Sequence, residues 1–459
     1  MADKRIHELH EILRGRLFRP NDDGYDNVRK VFNGMIDRRP ALIVQCAGVA
    51  DVIAAVNYAR EANLLVAVRG GGHGVTGNAV CDHGVVIDLS EMKSVRVNPG
   101  TQTARAEGGA TWGDFDHETQ AFGLATTGGI VPSTGIAGLT LGGGIGYLNR
   151  KYGLSCDNLL SADVVTADGQ LLKACADENE DLFWGLRGGG GNFGVVTSFE
   201  YRIHAVPSVL AGEMIFPLDR AKEVLRFYRD WSTAAPDEVR ADATLLSGPN
   251  GPALDIIVCY CGAIDEGEKV LRPLRACCPS MVVDTVAAVS YKTVQNILTD
   301  VFQPGSLHYW KAGFVRDFSD DAIEAIVDFF ASAVPAPFAA LAIEQLGGAV
   351  SRVGHQDTAF SNRHAQHSIL VLRMWKDPAE SEDNIDWARQ CYRTAEPFLE
   401  SGAYVNYLGD EGETRVRAAY GDNYARLVAL KNKYDPTNFF RLNQNIRPAL
   451  EAAIPADQS

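Results

Sequence analysis

The segment Leu65-Val66-Ala67-Val68-Arg69-Gly70-Gly71-Gly72-His73-Gly74-Val75-Thr76-Gly77 decides how the first half of the chain is read. It opens as a short apolar run, which reads as a strand, and breaks into a glycine-rich loop that carries one histidine. Upstream, Leu42-Ile43-Val44-Gln45 is a second apolar run, followed by Val49, Val52, Ile53, Val56 and Ala59 at helical spacing. Strand, helix and strand make a β-α-β unit. Gly72 to Gly77 formally matches G-x-G-x-x-G, but that pattern signals a Rossmann site only when a helix follows the loop directly. Here the next apolar run, Val85-Val86-Ile87-Asp88-Leu89, comes too soon for a helix to intervene.

Two more glycine clusters lie downstream. Thr126 to Gly146 is rich in glycine and threonine and holds Gly142-Gly143-Gly144-Ile145-Gly146; Gly188 to Gly194 runs into an apolar strand at Val195 to Phe199. The second G-x-G-x-x-G match, Gly189 to Gly194, therefore also fails on context, and no G-K-[ST] follows any glycine cluster, so a Walker A loop is excluded. Clustered glycines free the backbone to approach an anion. Three such loops before Pro207 point to a large phosphate-bearing ligand, a dinucleotide held by something other than a Rossmann fold. Asp168-Gly169, between two apolar runs, predicts a hairpin. After Pro207 the glycine clusters stop, and strands at Leu254 to Cys259 and Ile369 to Trp375 alternate with amphipathic helices such as Asp320 to Ser332. This predicts a second unit built on an antiparallel sheet.

Composition narrows the function classes. Of 459 residues, 45 are glycine, nearly a tenth against a usual share of about 7%. Net charge is −15, which argues against nucleic acid or an anionic membrane as partner. The N-terminal stretch Met1 to Gly15 is charged, with no secretory signal, and no window is apolar enough to span a bilayer, so a cytoplasmic protein is expected. Nine scattered cysteines are no disulfide framework. His364 and His367, read as lying three apart on one strand, would point to opposite faces, so no metal site is expected.

Five segments in order resemble the FAD-linked oxidases of the vanillyl-alcohol-oxidase superfamily, with a PCMH-type FAD domain, in the berberine-bridge-enzyme-like branch. They are Val68 to His73, Tyr152-Gly153-Leu154-Ser155-Cys156-Asp157-Asn158, Gly190 to Val196, Tyr404-Val405-Asn406-Tyr407, and Asn438 to Asn445. The resemblance implies an α+β fold: a two-lobed FAD-binding domain over residues 36–207, a substrate domain over 208–400 with a large antiparallel sheet covered by helices, and a C-terminal segment, 401–459, that completes the FAD domain.

It also implies roles. FAD would be bound bicovalently, through His73 and Cys156. Arg69, Gly70, Gly71, Gly72, Gly74, Thr76, Gly77 and Asn78 would hold the pyrophosphate loop. Gly129, Pro132, Thr134, Gly138, Leu139, Gly142, Gly143 and Gly146 would line a second stretch of contacts, joined by Asn158, Gly191, Asn192, Phe193, Gly194 and Val196. Asn443 and Asn445 would close the site. Tyr407 matches the catalytic tyrosine, and as a free phenol titrates near ~10 it would need a nearby positive charge or a phenolate-favouring hydrogen bond. Tyr404, an odd number of residues away, would face the other side of a strand in a structural place. Substrate contacts are expected from the 360–375 strand, including Ser368, and from Glu344 or Gln345. The implied activity is oxidation of a C–H bond in an alcohol or amine of a bulky small molecule, with dioxygen reduced to hydrogen peroxide, as in secondary-metabolite tailoring or antibiotic biosynthesis. An FAD-dependent dehydrogenase, an alkaloid or sugar oxidase, and an FAD-loaded binding protein with little turnover stand as alternatives. Oligomeric state is not legible.

Overall fold

The computed structural model describes residues 2–248, 251–316, 318–332 and 338–449. Three large sheets organise them, beside a two-stranded one that pairs Leu124–Ala125 with His204–Ala205. The first has four strands in the order Arg16–Phe18, Leu42–Gln45, Val85–Asp88, Val66–Arg69. The last three run parallel, and Arg16–Phe18 pairs antiparallel at the edge. Helix Val49–Glu61 buries Val52, Ala55, Val56 and Ala59 against this sheet. The β-α-β unit is present, but its two strands are not neighbours, because Val85–Asp88 inserts between them. Gln45, Asp88 and Arg69 thus end side by side, and the glycine loop leaves from that carboxyl edge, where parallel sheets present their loops to ligands.

The second sheet is antiparallel, in the order Val95–Asn98, Thr103–Glu107, Val195–Arg202, Leu159–Val165, Leu171–Cys175. Its hairpin turns at Asp168-Gly169, where Gly169 takes φ +82°. Helices Glu413–Tyr420 and Tyr424–Tyr434 return to this unit, burying Val416, Tyr420, Leu427 and Leu430 beside Trp184 and Phe193.

The third sheet holds eight antiparallel strands. Its centre runs Val209–Pro217, Gly251–Tyr260, Val239–Gly248, Ala339–Gln345, His367–Trp375, Leu307–Phe314. Side-chain alternation divides its faces. Ala241, Ala243, Leu341, Ile343, Ile369 and Val371 pack under helices Ala221–Ala234, Asp320–Ser332 and Ser381–Ala395. The opposite face carries Arg240, Asp242, Glu344, Ser368, Leu370 and Trp310. His367 starts its strand, whereas His364 lies before it in a turn, so the two do not share a strand. Among the described residues no helix is long and apolar enough to cross a membrane, and no group of three or more His, Cys, Asp or Glu side chains could hold a metal ion.

Candidate active site

A cleft of about 320 Å³ opens where the three glycine loops meet the face of the large sheet that carries Trp310 and Leu370. Gly70, Gly71, Gly72, His73, Gly74, Thr76 and Asn78 form one wall; Gly129, Thr134, Gly138 and Leu139 form another; Gly191, Gly194, Val196 and Asn443 close it. The glycines there serve two purposes. A Cβ on Gly71 would fall 2.4 Å from the Gly135 nitrogen, and one on Gly135 would fall 2.4 Å from that of Gly71, so two loops touch backbone to backbone. At Gly74, Gly138 and Gly191 a Cβ would meet no protein atom within 4 Å, so packing does not require glycine there. Bare backbone facing open space is what close approach of a ligand needs.

His73 stacks on Phe32, with ring centroids 3.9 Å apart. Burial pushes its pKa down to about 4, so the imidazole is neutral at physiological pH. Its Nε2 is enclosed without a hydrogen-bond partner, as are Asn443 Oδ1 and Asn445 Oδ1. Orphaned polar atoms beside a glycine cradle fit an absent polar cofactor, and an FAD meets those requirements. Asn443 donates to the carbonyls of Gly191 and Phe440, both at 3.1 Å.

Opposite this wall the chain from Tyr404 to Tyr407 forms a tight turn, with the Tyr407 amide bonded to the Tyr404 carbonyl at 3.0 Å. The expected strand is absent, and this corrects the reading of Tyr404. Both rings come to the same side, with centroids 4.8 Å apart. The Tyr404 oxygen accepts from the amides of Gly144 (2.9 Å) and Ile145 (3.3 Å) and from Asn406 Nδ2 (2.8 Å). It therefore pins the second glycine loop.

Tyr407 lines the cleft, and its hydroxyl donates to Glu344 Oε1 at 2.8 Å. Ser368 donates to Glu344 Oε2 at 2.5 Å. Arg240 Nη2 lies 3.7 Å from Glu344 Oε1 and 2.8 Å from Asp242 Oδ2, while its Nη1 donates to Asn149 Oδ1 at 3.1 Å. Burial, then the Glu344 charge, pushes the Tyr407 phenol well above its usual range. Burial also raises Glu344, with Arg240 opposing. The positive charge expected near the phenol thus stands one layer behind it, beside the carboxylate.

Several residues expected to contact the cofactor make close contacts within the protein. Arg69 faces away from the cleft: its guanidinium grips Asp88, with Nε donating at 2.9 Å, and also binds the Val28 and Lys30 carbonyls. Gly77 (φ +69°) turns against Ile36, which leaves no room for a side chain. The Pro132 carbonyl accepts from the Gly113 amide at 2.8 Å. Gly142 abuts Asn406, Gly143 abuts Phe360, and Gly146 packs on Gly128. Asn158 donates to the Tyr152 and Leu154 carbonyls, and Phe193 is core. Asn192 ties the third loop to the C-terminus through Gly189, Gln444 and Ile446. Gln345 bonds Ala241 and Ser232 on the helix side of the sheet. Glu344 and Ser368 meet each other and Tyr407 rather than lining the cleft wall.

Cys156 requires a correction. It is wholly buried in an apolar cluster with Ile145, Leu154, Phe360 and Tyr404, outside the cleft walls. Burial, reinforced by Asp157, raises its thiol well above the usual range. The thiolate is the reactive form of cysteine; burial disfavours it here, with Arg363 and Arg187 opposing, and the side chain stands apart from the cleft lining.

Leu370, on the cleft wall, belongs to the 360–375 stretch expected to contact substrate; sequence reading missed Phe302 and Trp310 there, and Arg240 and Asp242 behind Glu344. The charged pair Arg240/Asp242 spaced two apart in the otherwise apolar run Val239 to Ala243 was an available signal.

The chain matches the FAD binding domain family over residues 40–174 and the berberine and berberine like family over residues 403–447. It is 32% identical to (R)-6-hydroxynicotine oxidase of Paenarthrobacter nicotinovorans, over 95% of this chain and 97% of that protein. It is 31% identical to an FAD-linked oxidoreductase of Dictyostelium discoideum, over 97% of this chain and 98% of the other. The crystal structure of 6-hydroxy-D-nicotine oxidase from Arthrobacter nicotinovorans superposes with a TM-score of 0.89 at 32% identity, covering 95% of this chain and 98% of that one. Chitooligosaccharide oxidase, at 24% identity, shares the fold with a TM-score of 0.85, over 97% of this chain and 100% of its own. With these similarities over nearly its whole length, and with a glycine-walled cleft suited to a dinucleotide, the chain belongs to the berberine-bridge-enzyme-like family of FAD-linked oxidoreductases.

Proposed function

We propose that this protein is an FAD-dependent oxidase that removes hydride from a carbon bearing a hydroxyl or amine in a bulky small molecule, as in secondary-metabolite tailoring. Residues 36–207 and 401–459 would bind FAD, and residues 208–400 the substrate. FAD, when bound, supplies the hydride acceptor and passes its electrons to dioxygen. Everything else falls to the chain. The open faces of Gly74, Gly138 and Gly191 leave room for the pyrophosphate. The neutral His73 imidazole, with its Nε2 unpartnered, is suited to a single covalent link to the flavin.

The observation that carries the reading is the Tyr407–Glu344–Ser368 array at the cleft. An alcohol or amine cannot release hydride readily while it keeps its proton, so a positioned base is needed. Tyr407 alone is a poor base because its phenol is raised. Its hydroxyl proton, however, already points at Glu344, 2.8 Å away. As the Tyr407 oxygen takes the substrate proton, its own passes to Glu344 Oε1, and no free phenolate need form. Ser368 and Arg240 hold the carboxylate ready to accept.

Acid precipitation tests the flavin claim: yellow colour should stay with the pellet, and colour in the supernatant would sink it. Hydrogen peroxide formed in air during turnover separates an oxidase from a dehydrogenase, which would need another acceptor.

A further inference from the structure

Chemistry at Tyr407 requires the substrate to sit against the part of the cleft that the large-sheet unit supplies. The cleft residues contributed between Val209 and Trp375 are Phe302, Trp310 and Leu370; their one polar side-chain atom is the Trp310 indole Nε1, buried without a hydrogen-bond partner. Trp310 meets Tyr407 edge-on, with centroids 5.8 Å apart at 78°, and Phe302 meets Trp310 at 6.3 Å and 80°. Behind them the sheet face continues as Ala312, Leu372 and Met374, with Ala340 and Ala342 packed alongside. Among the described residues that line the cleft there is no Lys, Arg, Asp or Glu. Asn406, beside Tyr407, already spends its amide hydrogens on Leu139 and Tyr404.

A carbohydrate buries many hydroxyls, each of which needs a partner once water is removed. This wall offers few groups besides the Tyr407 hydroxyl to bond them. A carboxylate or phosphate would meet no cation. A flat apolar ring would lie against Trp310, Phe302 and Leu370 with area burial and edge-to-face contact in its favour. Resting on the functional reading above, we infer that the substrate is an uncharged planar aromatic compound whose ring packs on Trp310 and Phe302. Its oxidisable carbinol carbon is a substituent placed at Tyr407.

Calorimetric titration of the holoenzyme under nitrogen with benzyl alcohol, 2-naphthalenemethanol, cellobiose and N,N′-diacetylchitobiose tests this. Binding is read whether or not turnover follows, so its outcome is separate from that of the flavin and peroxide experiments. The aromatic probes should bind at least about tenfold more tightly than either sugar, with the naphthyl compound ahead of the phenyl one. Trp310→Ala and Phe302→Ala should each weaken naphthyl binding about three- to tenfold. Sugar binding equal to or tighter than aromatic binding overturns the proposal, as does no detectable aromatic binding. The wild-type comparison stands even if a variant does not fold.

Discussion

Replacing Lys431 by Met tests how the C-terminal segment is held over the cleft. Lys431 and Asp435 are both 0% exposed, with Nζ and Oδ2 2.7 Å apart. The ammonium also donates to the carbonyls of Asn192 and Phe440, each at 2.8 Å, so its three hydrogens are all used. Asp435 in turn accepts the amides of Phe439 (2.7 Å) and Phe440 (2.8 Å). These bonds shape the loop that brings Phe440, Leu442 and Asn443 to the cleft. Burial lowers the Lys431 pKa while Asp435 opposes, so the ammonium depends on its partner. Methionine leaves a buried carboxylate without a counter-ion, a change that costs about 3–5 kcal/mol. Two carbonyls also lose a donor, each worth about 1–3 kcal/mol if nothing replaces it, and the two losses overlap. A total near 4 kcal/mol is expected. Urea titration followed by fluorescence measures it, and proteolysis across residues 435–446 should quicken as the loop loosens. The double variant Lys431→Met/Asp435→Asn removes the stranded charge and keeps one amide acceptor, so it should recover more than half of the loss. A loss under about 1 kcal/mol, or a double variant no better than the single, would refute the reasoning.

Four further outcomes are expected. His73→Ala should release its flavin on acid precipitation, whereas Cys156→Ala should keep it in the pellet. Glu344→Gln retains an acceptor for the Tyr407 hydroxyl but cannot take its proton, so anaerobic flavin reduction should slow about 10²- to 10⁴-fold while calorimetric probe binding holds. Gly138→Ala adds a methyl group that meets no protein atom within 4 Å and sits in helix Ile136–Leu141. The variant should therefore fold at least as stably as the parent yet carry less flavin, read as the ratio of flavin to protein absorbance. Burial raises Asp116 and Asp255 to about 7, so the stability each contributes is complete at low pH and is lost as pH rises from about 4 through about 7. Asp255→Asn should therefore match the parent near pH 4 and exceed it at pH 8, by up to about 4 kcal/mol; denaturation curves at the two pH values check this.

Local pattern was enough to read the β-α-β unit around Val49–Glu61, the Asp168-Gly169 hairpin, helix Asp320–Ser332, and glycine loops with His73 at the end of a strand. Each depends on residues within a few turns or a few pleats of one another, and periodicity reports that range directly. The glycines show where such reading stops. Composition marks Gly138 and Gly142 alike, yet one faces the cleft and the other is pressed on Asn406, because only the fold decides what lies beside each Cα.

The same limit holds for the chemistry. Residue type and motif placed Tyr407, His73, Glu344 and Ser368 among the candidates. That the Tyr407 hydroxyl meets Glu344 depends on side chains 63 positions apart, and on a sheet register that sets Glu344 opposite Ser368. That Tyr404 shares a side with Tyr407 depends on a turn replacing a strand. That Arg69 binds Asp88 rather than a phosphate follows from Val85–Asp88 inserting beside Val66–Arg69. Cys156 lies within a family motif but ends up behind the wall. By itself the sequence determined which groups could react, since that is a property of each residue and its near neighbours. Tertiary structure decided which of them meet, since burial and contact belong to surfaces that distant parts of the chain make together.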